Sequence, residues 1–268
     1  MPEGDTVWLA CRRLDVALAG QRLTGSDFRV PQYAAVDLAD VMVRQVVSRG
    51  KHQLFRFDND HTLHTHLRMD GSWHVYSVGT TPHGGPDYQI RVVLHTEAVT
   101  AIGYRLPVIE YLPTAQEHTV VGHLGPDLLG PDWDADEALS RLRADPARSV
   151  GEALLDQRNL AGIGTLYRAE TLFLSGVHPR TPVGRVPHLD RVVERARRLL
   201  EANKERPEQV TTGDARRGRE QWVFNRDRQP CRRCGTGIRV EEFGPTGQER
   251  RSFWCPRCQP VIEAEPPG

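Results

Sequence analysis

Four of the five cysteines fall into two close pairs, Cys231 with Cys234 and Cys255 with Cys258, in the pattern C-x2-C-x20-C-x2-C. Each pair can turn back on one ion, and four thiolates complete a tetrahedral Zn²⁺ shell. The pattern offers no other ligand type and no open position, so the expected zinc is single and structural, not catalytic. Between the pairs, GIRVEEF and ERRSFW read as two strands about the turn GPTGQ, which makes a zinc β-hairpin. An iron–sulfur site is the competing reading, and the hairpin between the pairs argues against it.

The first residues, MPEGDT, offer a different reagent. If Met1 is removed, the chain begins with Pro2, a secondary amine, and the Glu3 carboxylate stands beside it. The amine attacks only when uncharged, and an α-amino group titrates at roughly pH 8 in model peptides. The first turn of a following helix disfavours the ammonium. Glu3 favours it, yet offers a local proton acceptor. These opposed pulls are not decided by the residues, and a proline near a helix start is also common without any chemistry.

Three further places can meet a phosphate. Lys51 stands in the turn SRGK between two strand-like runs, where a hairpin-turn lysine is the plain reading. In NLAGIGT, Gly162 and Gly164 leave backbone N–H groups uncovered beside a helix start, which can cradle a phosphate without a charged side chain. Tight helix packing explains that pattern equally well. Arg250 and Arg251 lie on the second hairpin strand near its tip, from which a guanidinium can reach a phosphate in a nucleic-acid groove.

These residues need elements to hold them. Apolar positions at Val7, Ala10, Cys11, Leu14 and Leu18 have helical spacing over 6–18, with Thr6 or Asp5 as N-cap. Cys11 reads as a small buried apolar residue. From about 20 to 125 the runs VMVRQVV, HQLFRF, HTLHTHL, SWHVYS, YQIRVVLH and TAIGYRL are short strands, separated by turns such as SRGK, DND, MDG and GTTPHGGPD. Many short strands at close spacing imply a sandwich or barrel. Residues 124–136, LGPDLLGPDWDAD, read as a linker, and 135–205 as helices. Residues 206–222 are polar and rich in Gly and Arg, hence a loop. The expected domains are 1–125 (β-sandwich, catalytic), 126–222 (helical), 223–260 (zinc finger) and 261–268 (a disordered tail).

The chain has 268 residues and no net charge, so nothing global points to a polyanionic partner. The charge is uneven, however: residues 211–260 hold eleven arginines against six acids, a local +5 that can read phosphates. No run approaches a membrane span, and the N-terminus lacks the basic and apolar regions of a secretory signal, so a cytoplasmic protein is expected. In that compartment paired cysteines point to metal, not disulfides.

Taken together and in order, MPEG, SRGKHQL (48–54), HLRMDGSW (66–73), LGPDLL (124–129), LAGIGTLYRAE (160–170), SGVHP (175–179) and VFNRDRQPC with its cysteine pairs resemble the formamidopyrimidine-DNA glycosylase/endonuclease VIII family of base-excision repair enzymes. The resemblance runs from the first residue to Cys258. It implies an α+β fold: an N-terminal β-sandwich flanked by helices, then a helical domain with a helix–two-turn–helix element and a zinc β-hairpin, with DNA in the cleft between. It also implies roles. Pro2 attacks C1′ of a damaged nucleotide, Glu3 moves protons, Lys51 contacts the phosphate backbone and assists, and Arg250 grips the lesion phosphate. Met69 matches the wedge that fills the void in the duplex, with Arg68 beside it. Gly164 and Thr165 match the phosphate clamp, and Arg251 stands next to the matching arginine. Damaged double-stranded DNA is the implied partner, single-stranded or bubble DNA a further expectation, and a monomer working at the bacterial nucleoid the implied state.

Three departures bear on substrate. Many relatives carry a glutamate where Thr6 stands, preceded here by Asp5. The clamp position, often Asn, is Thr165, which offers less than an amide. The segment before VFNRDRQPC is shorter than the capping loop typical of enzymes that excise 8-oxoguanine. MPEG and the short loop favour the endonuclease VIII side, with oxidised pyrimidines and abasic sites as substrates. The alternatives are an 8-oxoguanine or formamidopyrimidine glycosylase, and a non-catalytic reader of damaged DNA.

Overall fold

Helix α1 runs Gly4–Leu18, two residues ahead of the start expected from its apolar spacing. Its N-cap is Glu3, in an extended conformation and with no side-chain capping hydrogen bond, so neither Asp5 nor Thr6 serves as the cap. Asp5 instead lies in the first turn, where a carboxylate complements the helix dipole. Val7, Cys11, Leu14 and Leu18 form the buried stripe at steps of four, three and four. Burial pushes the Cys11 thiol up to about 12, which suits its reading as a packing residue.

The computed structural model describes residues 2–244 and 249–261 and divides into two compact units, Met1–His123 and Leu124–Gly268. In the first unit eight strands follow α1: β1 (Gly25–Phe28), β2 (Val43–Arg49), β3 (His52–Phe57), β4 (His61–His66), β5 (Ser72–Ser77), β6 (Ile90–His95), β7 (Val99–Tyr104) and β8 (Val108–Pro113). They form two antiparallel four-stranded sheets, in the orders β2-β3-β4-β8 and β1-β6-β7-β5. Val43, Val46, Phe55, Phe57 and Leu63 of the first sheet share one core with Val92, Leu94 and Ala101 of the second and with the α1 stripe. This is the expected sandwich. Two of its strands, β1 and β8, lie outside the runs that read as strands. Prolines 107 and 113 bracket β8 like turn signals, but β8 is an edge strand, where a missing N–H is tolerated.

The second unit opens with a correction. Residues 124–136 are not a bare linker: Leu124 and Leu128 are buried, and Asp127 bridges to Ala161. Gly125 is required there, since a Cβ would stand 2.5 Å from the Asn159 carbonyl. A short helix, α2 (His118–Val121), ends the first unit. The second then has α3 (Ala135–Arg143), α4 (Val150–Leu155), α5 (Thr165–Ser175) and α6 (Leu189–Asn203) around one apolar core. Asp134 caps α3 by accepting from the Glu137 N–H at 2.9 Å, and Ser149 caps α4. Asn203 bonds both N–H and C=O of Val210, which fastens the loop after α6.

Strands β9 (Arg239–Phe243) and β10 (Arg250–Trp254) form the expected antiparallel hairpin. Its Ile238 and Phe253 share a core with Ala169 and Phe173 of α5 and with Val223. Most of the expected GPTGQ turn (245–248), Met1 and the tail from 262 onward lie outside the described residues. Among the described residues no helix is long and apolar enough to cross a membrane.

Candidate active site

Pro2 stands at the entrance to α1, one residue before its cap. Beside it, Glu3 is fully buried, an expensive place for a carboxylate unless polar groups surround it. Its backbone C=O accepts the Val7 N–H at 3.0 Å, the first turn of the helix. Helix α1 is anchored to the sheet at its other end, where Asp15 accepts the Val46 N–H of β2 at 2.8 Å.

Lys51 lies in the two-residue loop between β2 and β3, where Arg49 pairs with His52. Gly50, at φ 57°, fills the first central position, which two-residue hairpin turns require to be left-handed. The loop therefore fixes Lys51 at the sheet edge through backbone geometry. Beyond β4, Arg68 takes a left-handed φ of 50°, with its N–H bonded to His66 Nδ1 at 2.9 Å. The next side chain, Met69, is 60% exposed.

The sequence reading gave no role to the histidines around this loop. His52, His64 and His66 lie on one face of β3 and β4, with Glu110 of β8 opposite His64. Glu110 Oε2 is 2.6 Å from His64 Nδ1, and His64 Nε2 is 2.8 Å from His52 Nδ1. Burial lowers the pKa of all three rings: His52 to about 3, His66 to about 4, and His64 despite the pull of Glu110. The alternation in HTLHTH was visible, and period two puts His64 and His66 on one face. The partners were not, because they come from other strands.

In the second unit Gly164 is the N-cap of α5 and Thr165 its first residue, 6% exposed. Gly162 is left-handed at φ 105°, but its N–H is not uncovered as expected: it donates to Gln157 Oε1 at 3.0 Å. The expected cradle therefore loses the Gly162 donor.

Helix α5 also carries two buried charges that the sequence reading passed over. Arg168 donates from Nη2 to the Arg251 carbonyl of β10 at 2.8 Å. Glu170 accepts the backbone N–H groups of Trp222, Val223 and Phe224 at 2.8 to 2.9 Å, and the Thr211 hydroxyl. Burial raises the Glu170 pKa against the pull of those donors. One helix thus joins the Gly164 entrance, the strap at 222–224 and the hairpin.

The four cysteine sulfurs lie within 4.8 Å of one another, with Cys231 to Cys258 at 3.9 Å and Cys234 to Cys255 at 3.5 Å. Zinc–sulfur bonds of about 2.3 Å in a tetrahedron set sulfur pairs about 3.8 Å apart. The thiols therefore fit a single tetrahedral ion with little movement. Arg250 and Arg251 begin β10 and are both exposed, and the Arg251 guanidinium lies over the Phe253 ring at 4.9 Å.

Pro2, Glu3, Lys51, Arg68 and Met69 thus belong to the first unit, and Gly164, Thr165, Arg250, Arg251 and the four clustered cysteines to the second. Residues 1–105 match the formamidopyrimidine-DNA glycosylase N-terminal domain, and residues 124–212 the formamidopyrimidine-DNA glycosylase H2TH domain. A Streptomyces coelicolor protein named probable endonuclease 8 2 is 56% identical, over 100% of this chain and 97% of its own length. A Mycolicibacterium smegmatis protein named DNA-(apurinic or apyrimidinic site) lyase Nei2 is 46% identical, over 97% of this chain and 99% of its own. A solved complex of Lactococcus lactis Fpg with abasic-site DNA aligns at TM-score 0.80 and 20% identity, over 97% of this chain and 100% of that one. At that identity the likeness is one of fold.

Proposed function

This chain belongs to the formamidopyrimidine-DNA glycosylase/endonuclease VIII family, and we propose that it is a bifunctional DNA glycosylase and abasic-site lyase of base-excision repair with the Pro2 amine as nucleophile. The supporting observation is the entrance to α1, where Glu3 is fully buried beside Pro2 without capping its own helix. A carboxylate retained there suits proton transfer at the neighbouring amine.

The amine attacks C1′ and displaces the damaged base, whose bond electrons leave with it. The sugar ring opens and the amine nitrogen becomes an iminium ion. That cation accepts the electrons of the C2′–H bond once a base takes the proton, and the 3′ phosphate leaves. A second elimination releases the 5′ phosphate. One difficult displacement is divided into easier steps.

Glu3 is the proton partner of Pro2. Lys51 contacts the DNA backbone and assists the chemistry. Arg250 holds the lesion phosphate, with Arg251 beside it. Met69, already exposed, is the wedge, and Arg68 follows the duplex. The Gly164 N–H and the Thr165 hydroxyl receive a phosphate at the start of α5. A single structural zinc on Cys231, Cys234, Cys255 and Cys258 would keep the hairpin folded.

The enzyme acts on damaged double-stranded DNA as a monomer in the bacterial cytoplasm, and tolerates single-stranded or bubble DNA. Oxidised pyrimidines are the favoured lesions. Borohydride trapping on abasic-site DNA tests the chemistry: a covalent adduct is expected, absent when Met1 is retained. Binding without any adduct would make the protein a reader of damage. Excision of thymine glycol is expected to exceed that of 8-oxoguanine in matched duplexes, and the reverse order would overturn the lesion preference.

A further inference from the structure

The face of β3, β4 and β8 turned away from Phe55 and Leu63 carries ionisable groups where apolar packing would be the cheaper choice. On it, Glu110, His64 and His52 make a continuous string of two short hydrogen bonds. The chemistry of the atoms orients the string. A carboxylate only accepts, so His64 Nδ1 carries the proton that Glu110 receives. His64 Nε2 is then a bare nitrogen and accepts from the Nδ1–H of His52. His52 is left with a bare Nε2. One carboxylate thus sets the tautomer of two rings.

The surroundings keep those rings neutral. The His52 and His64 rings lie edge to edge, with planes 18° apart and centroids at 5.0 Å, as an in-plane hydrogen bond requires, while His52 meets the His66 ring at right angles at 4.8 Å and has His123 at 6.1 Å. Arg68 and Lys51 add positive charge around His66, while Glu110 and Glu117 act on His64 from the opposite side. Glu117 is itself held by Arg56 at 2.7 Å and by the Thr62 hydroxyl. The inner end of the string is His52, the residue that follows Lys51.

We propose that Glu110, His64 and His52 are positioning residues for Lys51: the string fixes the end of β3, and with it the Gly50–Lys51 turn. This rests on the reading that Lys51 serves a reaction on DNA. The string then governs how fast the bound substrate reacts far more than how tightly DNA binds, since Lys51 is one phosphate contact among several.

Two measurements test it on the zinc-loaded full chain. Nitrogen-15 imidazole NMR should show His52 and His64 both as Nδ1–H tautomers near neutral pH, with His52 losing that preference in Glu110→Gln. Single-turnover borohydride trapping on abasic-site duplex should slow by roughly tenfold to hundredfold in Glu110→Gln, as expected for a misplaced catalytic group. Affinity for a duplex with an uncleavable tetrahydrofuran abasic analogue should change far less than the trapping rate. Nε2–H tautomers in the wild-type protein overturn the string, and that spectrum needs no variant to fold. Wild-type trapping rates in Glu110→Gln overturn its role while leaving the proposed function intact. A wild-type protein that forms no adduct overturns the functional reading instead.

Discussion

Four cysteines near the C-terminus and four histidines in the first unit are each drawn into one cluster, and different forces hold them. Cys231, Cys234, Cys255 and Cys258 come from the two ends of a single hairpin segment, and beneath them lies only a small core shared with α5. His52, His64, His66 and His123 come from β3, β4 and the end of the first unit, on a sheet whose other face is the sandwich core. The thiols are spaced to be joined through one shared ion. His52 and His64 share a hydrogen bond, and burial keeps His52, His64 and His66 neutral. The hairpin should therefore depend on metal, and the histidine face on proton concentration, each with little response to the other's agent.

Zinc removal is the largest test of that contrast. Structural zinc contributes on the order of 10 kcal/mol to the folding of small thiolate modules. Chelation, or Cys255→Ala, is expected to erase hydrogen-exchange protection in β9 and β10 while β3 and β4 keep theirs. Equal loss in both regions would break the comparison.

Glu170→Gln comes next. The amide nitrogen would face one or two of the backbone N–H groups that the carboxylate now accepts, and each unsatisfied buried donor costs about 1–3 kcal/mol. A lower urea midpoint confined to the second unit is the expected result, read by hydrogen exchange of residues 222–224.

The histidine face predicts an acid-side loss in the first unit. His52 and His66 have folded pKa values depressed to about 3 and about 4, against about 6.5 in an unfolded chain. Their neutral forms thus contribute stability that is fully present above about 6.5 and lost as pH falls toward the folded values. By pH 5 the unfolded chain has bound protons that the folded one has not, at a cost of about 2 kcal/mol for each ring. The melting temperature should fall by roughly 2–4 °C per kcal/mol, and His66→Gln should flatten the slope. A melting temperature constant from pH 7 to 5 would contradict the neutral, buried rings.

The smallest effect is at Gly50. Ala at φ 57° costs about 1–2 kcal/mol, with no change expected in zinc content. Thermal melts and metal analysis of the same sample check both halves of that statement.

The two clusters were not equally visible in the sequence. The cysteine site was readable because its ligands sit in two C-x2-C pairs and a metal imposes that spacing. The α1 stripe and six of the strands were readable from their periodicity. The histidine string was hidden, since Glu110 meets His64 only through the register of β8 on β4. Strand β8 itself was masked by its flanking prolines. Glu170 looked like an ordinary residue of an amphipathic helix, and the backbone N–H groups it accepts lie more than fifty residues on. Residues 124–136 read as a linker because Gly, Pro and Asp dominate them, yet Leu124 is buried and Leu128 packs into the core of the second unit. Local spacing reveals local chemistry, and contacts made by register or by a returning loop leave almost no trace in it.

The central claim is that the chain's own amine at Pro2 does the chemistry. The most direct measurement is peptide mapping by mass spectrometry after borohydride reduction on abasic-site DNA. The account predicts the deoxyribose remnant on the N-terminal nitrogen of the peptide that begins with Pro2, and a fall of roughly 10⁴-fold or more in adduct formation when Met1 is retained and ties that nitrogen into an amide, the scale seen when a nucleophile is removed. A remnant mapped to Lys51, or an undiminished adduct with Met1 retained, would contradict it.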